Sequence, residues 1–187
     1  MQGAAEALDA RDLGRLINAA DGSRWSDKRD VALINLMARA GLRVSEALAF
    51  KVGDVELGLR SGMLLLREGT GLKERRLALS SEARAALSAY LQVRPKVASD
   101  LPFLSRTHRA LDPRDVQRMV SEAARRAGNK LSVTPHTLRH SFATRFLAKN
   151  QDDIATLATI LGHANISTTT RYLHPNAQRV QEMMEEM

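Results

Sequence analysis

The chain has 187 residues, of which 44% are hydrophobic and 26% charged, enough for a real core and ordinary for a globular protein. It contains no cysteine, which excludes disulfides and thiolate metal sites and fits a reducing, cytoplasmic setting. No apolar run approaches the roughly 18 residues that span a membrane, and the first residues show no signal-peptide pattern. Lysine and arginine outnumber aspartate and glutamate by 28 to 21, a formal net charge of +7 that points to a polyanionic partner, most often nucleic acid.

Helical patterns dominate the chain. Residues 8–20 read as a helix, and residues 27–40 as another, with Val31, Ile34, Leu36, Met37 and Ala40 at near-helical spacing. Gly41 ends the second helix, and LRVSEALAF begins a short third one. The period then changes: GMLLLREGTGLKERRLALS holds two extended runs around a Gly-Thr-Gly turn, the pattern of a β-hairpin. Ser80 or Ser81 can cap a helix running to about Val93, ahead of the breaker Pro95. DPRDVQRMVSEAARRAG is a helix from Asp112 with Pro113 in its first turn and Gly128 at its end. Further helices follow over TPHTLRHSFATRFLAKN, about 152–161 and near 167–172, before the tail NAQRVQEMMEEM. The fold class is mostly α with a small antiparallel β-hairpin or sheet (α+β), with no internal repeat and no linker.

TPHTLRHSFAT carries the first chemical signal. Thr134 and Pro135 suit the cap and first residue of a helix, so His136 and Arg139, three apart, project together beside a core stripe of Leu138, Phe142 and Phe146. A helix start already favours an anion, and an imidazole plus a guanidinium there make a phosphate grip. The competing reading is a metal site on His136 and His140. Zincins place a glutamate after the first histidine, where this chain has Thr137, and no third carboxylate ligand is signposted. His140 reads as a core histidine with satisfied hydrogen bonds.

Four other positions stand out. Arg43 follows Gly41 among Leu42, Val44 and Leu48, a setting in which a partly buried guanidinium needs an anionic partner. Glu46, one turn beyond Arg43, either orients a site residue or is an ordinary surface glutamate. Lys73 lies at the hairpin turn. In LGHANISTTTRYLH, His163 follows a Leu-Gly turn and Tyr172 lies among polar residues, whereas Tyr90 sits in an apolar helix with Leu87 and Leu91 and reads as packing.

Taken together, these segments resemble the catalytic domain of the tyrosine recombinase (phage integrase) family, whose chemistry is shared with type IB topoisomerases. The likeness runs from about residue 10 to 174: AGLRVSEAL matches the first arginine box, GTGLKERRLAL the lysine hairpin, HTLRHSFAT the His-x-x-Arg box and LGHANISTTTRYLH the last box. The resemblance implies six catalytic residues, Arg43, Lys73, His136, Arg139, His163 and Tyr172, and no cofactor, metal or nucleotide. It implies that Tyr172 attacks a DNA phosphodiester and displaces a 5′-hydroxyl, leaving a 3′-phosphotyrosyl link. A phenol with a pKa of about 10 needs a base, a role that suits His136. Arg43, Arg139 and His163 would steady the charged transition state and Lys73 would protonate the leaving oxygen.

The expected organisation is a single catalytic domain over 1–187, with a core over about 10–174 and a C-terminal helix over 175–187. The N-terminal, core-binding helical domain usual in the family is expected to be absent. Val180, Met183, Met184 and Met187 form an apolar stripe that either folds back or docks on a neighbouring protomer. The implied partner is double-stranded DNA, bound by a homotetramer on paired sites and by a monomer when free, in the cytoplasm and on the nucleoid when DNA is bound, with no membrane. Two other functions fit less well: relaxation of DNA in the manner of a type IB topoisomerase, and a non-catalytic DNA-binding module gripping phosphates with Arg114, Arg118, Arg125 and Arg126.

Overall fold

A computed structural model describes residues 7–68, 73–129, 132–150 and 153–162. The chain divides into two units, residues 1–142 and 143–187. His163, Tyr172, the helix expected near 167–172 and the C-terminal stripe lie outside the described residues.

The first unit is organised around α2 (Trp25–Arg39). Ala32, Leu33, Ile34, Leu36, Met37 and Ala38 are all fully buried, so this helix is apolar on nearly every side and has to sit inside other elements. Against it pack α1 (Ala10–Ala20) and α4 (Ser81–Val93), and α1 also meets α5 (Pro113–Arg126). The starts of these helices are set by local chemistry. Asp9 caps α1 by accepting from the Asp12 N–H, Ser80 caps α4 at Ala83, and Asp112 caps α5 at Arg114 with Pro113 in the first turn.

Tyr90 is wholly buried on α4, stacks on Phe103 with ring centroids 5.3 Å apart, and donates its hydroxyl to the Pro102 carbonyl at 2.7 Å. Desolvation pushes its phenol above the ordinary value of 10. It is a packing residue, as its apolar neighbours suggested.

The expected hairpin is present as β2 (Gly62–Glu68) and β3 (Lys73–Ala78), paired antiparallel from Met63 opposite Ala78 to Glu68 opposite Lys73. A third strand, β1 (Val55–Leu57), adds to the free edge of β2 and makes a sheet of order β1-β2-β3. Leu64, Leu66 and Leu77 turn one face of that sheet into the core.

The described part of the second unit consists of the end of α6 (Pro135–Lys149) and α7 (Ile154–Leu161), which Asp153 caps and a left-handed Gly162 (φ 62°) ends. On α6 the expected core stripe needs correcting. Leu138 is fully buried, but Phe142 and Phe146 are only half-buried, and Ala143 and Leu147 are the covered apolar residues further along. At about 100° per residue, Ala143 and Leu147 lie roughly 140° and 180° around the axis from Leu138, whereas Phe142 and Phe146 lie roughly 40° and 80° from it, so the covered side changes along the helix.

Candidate active site

The sharp turn after α2 builds the floor of the site. Gly41 takes a left-handed φ of 72°, and the Leu42 N–H reaches back six residues to the Leu36 carbonyl at 3.3 Å, closing the helix end. This leaves the Gly41 carbonyl directed away from its own helix, and Arg139 Nη1 donates to it at 2.5 Å across 98 residues of sequence. Arg43, two residues on, is the N-cap of α3 (Val44–Ala49).

Glu46 lies at the third position of α3, and its carboxylate gathers three arginines from three elements. Its Oε2 accepts from the Arg43 backbone N–H at 2.7 Å, as a capping glutamate does, and lies 3.5 Å from Arg139 Nη1. Its Oε1 accepts from Arg43 Nη1 and from Arg75 Nη2, each at 2.9 Å. Exposure grades across the cluster: the Arg139, Glu46, Arg75 and Arg43 side chains are 6%, 11%, 15% and 40% exposed. Burial alone would raise the Glu46 carboxyl, but the Arg43 N–H and the guanidiniums of Arg75 and Arg139 outweigh it and hold it below its ordinary value of 4.5. Glu46 is therefore ionised, and among the described residues of the cluster three cations meet one anion.

The cluster opens onto a cleft of about 310 Å³ lined by Leu42, Arg43, Val44, Pro113, Gln117, Pro135, His136 and Arg139. His136 reaches it from the first turn of α6, where Thr134 and Thr137 cap each other: the Thr137 N–H donates to Thr134 Oγ1 at 3.1 Å and the Thr134 N–H to Thr137 Oγ1 at 3.2 Å. His136 is exposed and Thr137, Leu138 and Arg139 are buried, so one turn of helix delivers an imidazole to the rim and a guanidinium to the floor.

Of the six residues singled out in the sequence, Arg43, His136 and Arg139 thus line one cleft. Lys73 is the first residue of β3, two positions before Arg75. His163 and Tyr172 lie outside the described residues. Sequence reasoning left Glu46 undecided and passed over Arg75. The signal for Arg75 was available: it stands two residues from Lys73, and so shares its face of a strand by period. Chemically, two arginines fixed by a buried carboxylate and an imidazole at the rim form a preorganised receptor for a tetrahedral anion that undergoes acid–base chemistry.

A basic, mostly helical domain with a His–Arg–Arg anion cleft is the class of protein that the fold and the site define. The sequence matches the model of the phage integrase family over residues 6–179, and the chain belongs to that family. It is 33% identical over 188 aligned residues to tyrosine recombinase XerD of Listeria monocytogenes serotype 4b, covering 97% of this chain and 62% of that protein. Among solved structures, it is similar to XerA recombinase (TM-score 0.82, 33% identity, 100% of this chain and 65% of that one). It is also similar to XerH site-specific recombinase bound to difH substrate in a pre-cleavage complex (TM-score 0.81, 28% identity, 95% of this chain and 53% of that one). The chain therefore spans less than two thirds of the length of these relatives.

Proposed function

We propose that this chain is the catalytic part of a site-specific DNA recombinase or integrase that cleaves and rejoins strands through a 3′-phosphotyrosyl intermediate. The observation that carries the reading is the Arg43–Glu46–Arg139 cluster opening, together with His136, onto one cleft. In cleavage, the Tyr172 oxygen bonds to phosphorus as its proton passes to His136. The bond from phosphorus to the 5′-oxygen breaks, and that oxygen takes the bonding pair and a proton from Lys73. Arg43, Arg139 and His163 donate hydrogen bonds to the non-bridging oxygens as charge builds there. Religation runs the same steps backwards with a new 5′-hydroxyl, and the phosphotyrosine conserves the bond energy. Duplex DNA is the partner, with four protomers assembling on paired sites and a monomer in its absence.

The test is covalent capture. A nicked suicide duplex, from which the released 5′ fragment diffuses away, is incubated with the intact chain and run on a denaturing gel. The expected result is a protein–DNA adduct that disappears in Tyr172→Phe. An adduct that persists in this variant would refute the assignment of the nucleophile.

DNA affinity provides a second check. Arg106, Arg109 and Arg114 are exposed and form no ion pair among the described residues, unlike Arg118 and Arg125 on the same helix as Arg114. If all three lie on backbone phosphates, their triple alanine variant lowers the slope of log K against log salt by about 3 and weakens binding to unrelated sequences alike. A slope that does not change would place these arginines off the DNA.

A further inference from the structure

Arg75 has no place in the six-residue set, yet its guanidinium is the only one of the three around Glu46 that comes from the sheet. An ion pair between exposed side chains would mean little, but this one is 15% and 11% exposed and shares its acceptor atom, Oε1, with Arg43 at equal distance. It ties β3 to α3 across 29 residues of sequence. Arg75 is not among the residues that line the cleft, and its guanidinium contacts Glu46. The residue two places before it, where β3 begins, is Lys73.

We propose that Arg75 is a positioning residue: by gripping Glu46 it fixes the strand that carries Lys73 against the Arg43–Arg139 pair, so that acid and anion donors act from one frame. This rests on the function proposed above. A strand released at this point keeps its hairpin, because the β2–β3 ladder from Met63 to Glu68 is unaffected, but loses its fixed distance to the cleft. A misplacement of about 1 Å is enough to reduce a catalytic step by about 10²-fold. The step affected is protonation of the 5′-oxygen, whereas the donors to the non-bridging oxygens stay on α3 and α6.

This divides the reaction in a measurable way. When the bridging 5′-oxygen is replaced by sulfur, the phosphorus–sulfur bond breaks with the pair staying on sulfur, and the thiolate, whose conjugate acid has a pKa of about 8.5, leaves without a proton. Suicide duplexes chosen by covalent capture from a randomised pool with the intact chain are made in both forms. Arg75→Ala is expected to cleave the oxygen substrate about 10²-fold more slowly than the intact chain and to regain most of that loss on the sulfur substrate, with Arg75→Lys in between. Equal slowing on both substrates, or none on either, would overturn the proposal. A readout without DNA decides the contact itself: in a carbon-13 NMR titration the Glu46 carboxyl should titrate at higher pH in Arg75→Ala, and an unmoved titration would remove the basis of the idea. If the intact chain captures no DNA, the proposed function fails, and the titration still decides whether Arg75 holds Glu46.

Discussion

Arg139→Ala should reduce strand cleavage by about 10²–10³-fold at saturating DNA, the loss typical for removing one preorganised donor to a developing oxyanion. The structure gives the reason why lysine will not substitute. Arg139 Nη1 donates to the Gly41 carbonyl at 2.5 Å and lies 3.5 Å from Glu46 Oε2, so two groups hold this end of a guanidinium that lines the cleft. An ammonium has no such fork: it can satisfy the carbonyl or the phosphate, but not both in fixed geometry. Arg139→Lys should therefore lie much closer to alanine than to the intact chain in rate. It also leaves a buried carbonyl poorly paired, at about 1–3 kcal/mol of stability. Single-turnover rates on a suicide duplex, measured beside chemical denaturation, separate the two effects. A lysine variant that cleaves within a few-fold of the intact chain would mean that Arg139 acts through its charge alone.

The contrast between Arg139 and Arg75 shows how much of the site could be read from residues alone. His136 and Arg139 were legible because helix geometry fixes their relation: positions three apart, capped by Thr134, have to project together. Arg43 was legible as a guanidinium in need of a partner, and the partner proved to be local, three residues on. For Arg75 only the shared strand face with Lys73 was legible; its grip on Glu46 was not, because that contact lies 29 residues away and depends on where the sheet docks. The same limit applies to the fold. Helices with strong caps and punctuation were placed within a few residues: the expected 8–20 is Ala10–Ala20, and the helix opened by Ser80 ends at Val93 as expected. The strand Val55–Leu57 was missed because three residues carry no period of their own; β2 recruits them by offering a free edge. The Phe142 and Phe146 stripe failed for a related reason, since burial is decided by what packs against a helix and not by its sequence spacing alone.

Glu46 carries the largest expected effect on stability. Replacing it with alanine leaves the Arg139 and Arg75 guanidiniums, 6% and 15% exposed, gathered with Arg43 around a vanished anion. Removing one partner of a buried ion pair typically costs about 3–5 kcal/mol, a large part of what holds a domain of this size together. Glu46→Gln is the sharper probe because it keeps the shape: one amide oxygen can still accept, but the amide nitrogen now points a donor at a guanidinium. The pH dependence then identifies the cause. The folded-state carboxyl lies below its ordinary value of 4.5, so its contribution is fully present above that value and is lost as pH falls through the lower folded-state value. Denaturation curves for the intact chain and Glu46→Gln should be widely separated at neutral pH and converge in strong acid, where the intact carboxyl is protonated too. A gap that stays constant across that acid range would show that the loss comes from packing, and would leave the three arginines held by something other than the charge between them.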